Sequence, residues 1–136
     1  MSPADRLVYL DASALVKLVA EEPESSALRS FLALRAHRVS SALTRVELAR
    51  TILRSTLGTA GRRRADDVLE GVALIRLSDD ILAAAGGMEP PRLRTLDALH
   101  LATALSVRSE LAELVTYDRR LAEAAAAAGL DVAAPV

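Results

Sequence analysis

The chain has 136 residues, 51% of them hydrophobic, with a formal net charge of −1 and no cysteine. That length suits one domain with enough apolar material for a core, which excludes intrinsic disorder, and the missing cysteines exclude disulfides and thiolate metal sites and fit a cytoplasmic protein. A charge near zero excludes a globally basic nucleic-acid binder, no apolar run reaches the roughly 18–20 residues of a membrane span, and the start MSPADRLVYLD lacks the basic and apolar regions of a signal peptide.

Residues 7–10 (LVYL) read as a short buried strand. Residues 12–20 and 24–36 read as helices broken near Pro23, and Val39 to Ala42 as a strand. Leu43–Leu57 has helical periodicity through Leu43, Val46, Ala49 and Leu53. Residues 62–72 suit a polar-faced helix following two glycines, ALIRL (73–77) a strand, and 78–85 a helix with Ser78 as N-cap. Paired Gly and paired Pro mark 86–94 as a loop. Leu96–Val107 is helical, ELVTY (113–117) a strand, Asp118–Ala128 a helix ended by Gly129, and 130–134 a last strand. Short apolar strands alternating with helices predict an α/β fold with a mostly parallel sheet.

Four acids fall at comparable places. Asp11 ends the first strand and Asp118 the strand ELVTY, while Glu47 and Asp97 lie near the starts of helices. In a right-handed parallel α/β unit, strand ends and helix starts share the carboxyl edge, where such folds place ligands. Singly, each acid also has a plain structural reading. Asp11 and Asp118 can be N-caps, Thr44 to Glu47 fits a capping box, and Asp97 can compensate a helix dipole. Asp97 fits its plain reading least, because it shares a helical stripe with Leu101 and Leu105.

If the four converge, electrostatics demands a cation. Two carboxylates about 4 Å apart repel by roughly 4 kcal/mol at an effective dielectric of 20. Asn and Gln are absent, so side-chain oxygen ligands come from Asp, Glu, Ser, Thr or Tyr. Such hard donors select Mg²⁺ or Mn²⁺, or Ca²⁺, over zinc, and outline a phosphodiester-hydrolysing site.

The segments LDASALVKL, TRVELAR, LRTLDALHLATAL and LVTYDRRL resemble, in order, the signature segments of PIN-domain ribonucleases, above all VapC toxins of toxin–antitoxin pairs. The resemblance spans essentially the whole chain and implies a single PIN domain over 1–136, a three-layer α/β/α fold on a five-stranded mostly parallel sheet. It implies a Mg²⁺-dependent endoribonuclease toxin, with Mn²⁺ as a substitute, acting on RNA and silenced by a VapB-type antitoxin. The toxin would be a homodimer, forming a heterotetramer or larger assembly with its antitoxin. Residue by residue, the catalytic and metal-binding acids would be Asp11, Glu47, Asp97 and Asp118, supported by the hydroxyls of Ser13 and Thr116. The alternative is a non-catalytic, metal-stabilised module of the same fold that binds RNA or a partner.

Other residues are weighed against this frame. Only Lys17 of the 17 basic residues is a lysine. Arginine suits phosphate, though an Ala- and Arg-rich chain is also what GC-rich coding gives. Arg92 and Arg94 are candidate RNA contacts, because their loop runs into Asp97. Arg62 to Arg64 read as a solvated helix start paired with Asp66 and Asp67. His100 reads as a packed histidine, with a supporting role at the site as the other option, and His37 as exposed. With no second base beside His100, the expected nucleophile is a metal-activated water rather than the RNA 2′-OH. Apolar residues in Leu28–Leu34 and Leu48–Leu57 exceed what one sheet face needs, which predicts the homodimer interface.

Overall fold

The structure, a computed structural model, describes residues 2–136. After a short 3-10 turn (Pro3–Asp5) come β1 (Leu7–Leu10), α1 (Ala12–Val19), α2 (Ser25–Leu32), β2 (Arg38–Ser41), α3 (Leu43–Leu53) and α4 (Gly58–Glu70). β3 (Ala73–Ile75), α5 (Asp79–Gly86), α6 (Thr95–Ser106), β4 (Leu111–Val115), α7 (Arg119–Ala127) and β5 (Val132–Ala133) complete the chain. The strands form one sheet in the order β3-β2-β1-β4-β5, and every pairing is parallel.

Strand alternation builds the three layers. Val8 and Leu10 of β1, with Val115 of β4, point into a core shared with α1 to α4. Tyr9 and Leu114, of opposite parity, point into a second core with Leu101 and Ala104 of α6 and Leu121, Ala124 and Ala125 of α7. All these side chains are at most 6% exposed. From β1 the chain moves to β2 and then β3 on one side of the sheet; from β4 it moves to β5 on the other. The chain therefore changes direction between the neighbours β1 and β4, the switch point beside whose carboxyl ends α/β sheets bind ligands.

Several predicted boundaries move for local reasons. α2 ends at Leu32 because Arg38 turns back on it, donating to the carbonyls of Leu32 (3.0 Å) and Arg35 (3.2 Å). α4 starts at Gly58, four residues before the expected start, with Gly58 at φ +62° making the turn from α3. β4 starts earlier and stops at Val115, and Thr116 just past it still donates its amide to the Ala133 carbonyl at 3.1 Å. Gly129, at φ +90°, follows α7 as expected.

The face of α3 is the main correction. Its buried residues are Thr44, Leu48 and Ile52, whereas Val46 and Leu53 of the expected stripe are 57% and 66% exposed. Two apolar stripes compete on this helix, and the one that packs into the core carries Leu48 and Ile52, with the Thr44 hydroxyl donating to the Ser41 carbonyl at 2.5 Å. The capping box does not form: the N-cap is Ala42, and Glu47 bonds elsewhere. Most of the apolar excess expected at an interface is core instead, since Leu28, Leu32, Leu48 and Ile52 are buried; Leu34, Val46 and Leu53 remain outside.

Candidate active site

The switch point gathers the acids. Asp11 follows β1 and is the N-cap of α1, accepting from the Ala14 amide at 3.0 Å. Its carboxylate also accepts from the Ser13 hydroxyl at 2.7 Å and the Thr116 hydroxyl at 2.5 Å. Thr116 in turn accepts from the Asp118 amide at 3.0 Å, and Ser13 from the Tyr117 amide at 2.9 Å. Both hydroxyls thus tie the loop after β4 to the loop after β1. Asp118 caps α7, accepting from the amides of Arg120 (2.9 Å) and Leu121 (3.2 Å) through Oδ1 alone. The plain capping readings of Asp11 and Asp118 are therefore true, and capping fixes where both carboxylates point.

Asp97 and Glu47 come from the two helices that flank this edge. Asp97 lies in the first turn of α6, 9% exposed, and its Oδ2 is buried with no hydrogen-bond partner among the described residues. Burial raises its carboxyl above the ordinary value, and the nearby Asp118 and Asp11 carboxylates raise it further against the pull of Arg94 and His100. Burial likewise raises Asp11, with the hydroxyls of Thr116 and Ser13 and the Ala14 amide opposing. Glu47, from the second turn of α3, bonds Nε2 of His100 at 2.7 Å through Oε1.

Glu47, Asp97 and Asp118 line one recess of about 300 Å³ with Arg94, Thr95 and Leu96, while Asp11 is tucked away at 4% exposure. A larger recess of about 590 Å³ lies between α5 and α6, but Glu89 is its only ionisable lining residue, so size is a poor guide to the chemistry here.

Arg94 is part of the site. Its guanidinium stands 3.7 Å from Asp97 and 3.6 Å from Asp118, neutralising the recess partly without hydrogen-bonding the orphaned Oδ2. Arg92 instead borders a separate groove with Arg120 and Glu123. His37 is exposed at the opposite, amino edge of the sheet, and Lys17 is engaged by Glu24 at 2.9 Å. The sequence left unseen the link from His100 to Tyr9, whose hydroxyl lies 2.7 Å from Nδ1. A signal existed: His100 sits one turn beyond Asp97, and Tyr9 has the strand parity that faces α6.

The donor set fits a hard divalent cation. All donors are carboxylate oxygens, one is buried and unpartnered, and their mutual repulsion calls for positive charge. Among the described residues no three His, Asp or Glu side chains stand as a set that could hold a metal ion. Magnesium does not need three, because it commonly takes one or two carboxylates and completes its shell with water and substrate phosphate.

Comparison with known proteins agrees with this architecture. The family described as PIN domain matches residues 8–127. A Mycobacterium tuberculosis protein named Ribonuclease VapC46 is 47% identical over 128 residues, covering 94% of this chain and 97% of that protein. Another from the same species, Ribonuclease VapC35, is 43% identical over 133 residues, covering 95% and 97%. Among solved structures, VapBC2 from Rickettsia felis, bound to a promoter DNA fragment, superposes with a TM-score of 0.77 at 16% identity, covering 96% of this chain and 99% of the matched one. The M. tuberculosis toxin VapC20, described as cleaving the sarcin–ricin loop, gives 0.73 at 16% identity over 94% and 99%. The chain belongs to the PIN-domain family, among the proteins named VapC ribonucleases.

Proposed function

We propose that this chain is the ribonuclease toxin of a VapBC-type pair, a divalent-metal-dependent endonuclease that hydrolyses RNA phosphodiester bonds. The observation that carries the reading is the gathering of Asp11, Glu47, Asp97 and Asp118 at the switch point, with one carboxylate oxygen buried and unpartnered. The names of relatives at 47% and 43% identity support it.

Asp97 and Asp118 would hold the ion, with Asp11 beside them, because the free oxygens Asp97 Oδ2 and Asp118 Oδ2 both stand within 4 Å of the single Arg94 side chain. Bound Mg²⁺ or Mn²⁺ supplies charge neutralisation and a water of lowered pKa. Ser13 and Thr116 hold Asp11 in place. Glu47 orients the attacking water and accepts its proton. The water oxygen bonds to phosphorus, the bond to the 3′ oxygen breaks, and the departing oxygen takes a proton from solvent water, giving a 5′-phosphate and a 3′-hydroxyl. Arg94, once displaced from the acids, is positioned to take a phosphate oxygen of the substrate.

The partner would be a VapB-type antitoxin that inserts an arginine into the recess. Arg94 already places a guanidinium there, so the recess accepts that group. An RNA substrate fits a cytoplasmic site of action, and no helix of the described residues is long and apolar enough to cross a membrane.

The test is RNA cleavage by the purified chain with and without Mn²⁺, beside Asp97→Asn. Metal-dependent cleavage by the parent and none by the variant is the expected result. RNA binding without cleavage would instead favour a non-catalytic module.

A further inference from the structure

His100 is 2% exposed and stands in α6, one turn past Asp97. Its two ring nitrogens are both engaged, Nε2 with Glu47 Oε1 and Nδ1 with the Tyr9 hydroxyl, each at 2.7 Å. The rings of Tyr9 and His100 meet edge-on at 81°. Two short bonds thus join the central strand β1 to α6, and α6 to the acid on α3.

The proton positions follow from donor counting. An ionised carboxylate only accepts, so a bond of this length needs the proton on Nε2. On a ring carrying that single proton, Nδ1 is an acceptor and needs a donor. The other hydroxyls beside the phenol, Thr103 and Ser40, donate to the carbonyls of Leu99 (2.6 Å) and Leu10 (2.5 Å). Tyr9, whose O–H has no other acceptor bond among the described residues, is the donor to Nδ1.

We propose that His100 is a positioning residue for Glu47, and that buried Tyr9, bonded to the other ring nitrogen, anchors the imidazole in the orientation that lets it act. The inference rests on the nuclease reading above. A free glutamate samples several rotamers. Here Oε1 is pinned, and Oε2 is left as the oxygen Glu47 offers to the recess it lines. The pinned carboxylate is ready to take a proton from water before RNA arrives.

The test joins a spectroscopic readout with kinetics on the full chain. The ¹⁵N spectrum of the His100 ring, taken without RNA, reads the tautomer directly. The proton is expected on Nε2 in the parent, where Glu47 accepts it, and Tyr9→Phe should shift the Nδ1 resonance as its hydrogen bond is lost. In Mn²⁺-dependent cleavage of a fluorescent RNA, His100→Leu should lower kcat about 10–100-fold with KM little changed, the usual effect of removing such a supporting partner. Tyr9→Phe should lower kcat less. His100→Gln, whose amide can still donate to Glu47, should recover much of the lost rate. If His100→Leu does not fold, Tyr9→Phe and His100→Gln decide the question. An Nδ1–H ring in the parent overturns the proposal, as does parental kcat in folded His100→Leu or in Tyr9→Phe. So does a loss carried wholly by KM. A parent chain that cleaves no RNA overturns the nuclease reading instead, while the ring spectra still support or overturn the Tyr9–His100–Glu47 link.

Discussion

Arg94 and Asp118 face each other across the acidic recess at 3.6 Å, and the same guanidinium lies 3.7 Å from Asp97. The arginine side chain is 63% exposed, so each contact contributes little, between about 0.2 and 1 kcal/mol. It is nevertheless a cation held where a divalent ion would sit. Removing it should therefore help metal bind. Arg94→Ala is expected to raise Mn²⁺ affinity by about 1.4–5-fold, the factor that corresponds to this energy. Isothermal titration calorimetry reads this without RNA. Unchanged or weaker binding would show that Arg94 does not compete for the site.

Asp97 gives a prediction in pH. Its carboxyl is raised by burial first, then by Asp118 and Asp11. A raised value means that the folded state holds this proton more tightly than the unfolded state does. Metal-free stability therefore gains from Asp97 as pH falls through the raised value, and ionisation opposes folding at neutral pH. Asp97→Asn should melt above the parent at neutral pH without metal, with the gap closing in acid. A lower melting temperature at neutral pH would contradict this.

Asp11 should behave oppositely in spite of a raised carboxyl of its own. It caps α1 and accepts the protons of Ser13 and Thr116. Asp11→Ala removes the cap and strands two hydroxyls, and should destabilise the chain by about 1–3 kcal/mol. Chemical denaturation measures this. A variant as stable as the parent would show that these bonds matter only to chemistry.

The apolar residues left outside give a prediction about assembly. Val46 and Leu53 lie on the exposed side of α3, at 57% and 66% exposure. If the chain dimerises through this face, Val46→Glu with Leu53→Glu should give a monomer by light scattering. Surface changes of this kind alter stability by less than about 0.5 kcal/mol each, so folding should persist. A dimer that survives both substitutions would put the interface elsewhere.

The candidate site was more legible in the sequence than its setting. Asp11 and Asp118 are local features, each closing an apolar run and opening a helix, so a single reading along the chain finds both. Asp97 stood out because a carboxylate on a core-facing stripe fits the plain reading of dipole compensation poorly. The helix α3 was misread because Leu43, Val46 and Leu53 repeat as regularly as Leu48 and Ile52. Only packing against Leu10, Leu15 and their neighbours, made in the folded chain, chooses between the two faces. The same holds for His100: its bonds to Tyr9 and Glu47 span 91 and 53 residues, beyond the reach of any local pattern.

The central claim is hydrolysis by water at a metal-loaded acidic site, and the products carry the evidence. Mass-spectrometric analysis of the RNA fragment ends tests it most directly. The account predicts 5′-phosphate and 3′-hydroxyl termini, no cleavage in excess EDTA, and none by Asp97→Asn. A 2′,3′-cyclic phosphate, or cleavage that persists in EDTA, would contradict it and shift the chemistry to the RNA 2′-hydroxyl.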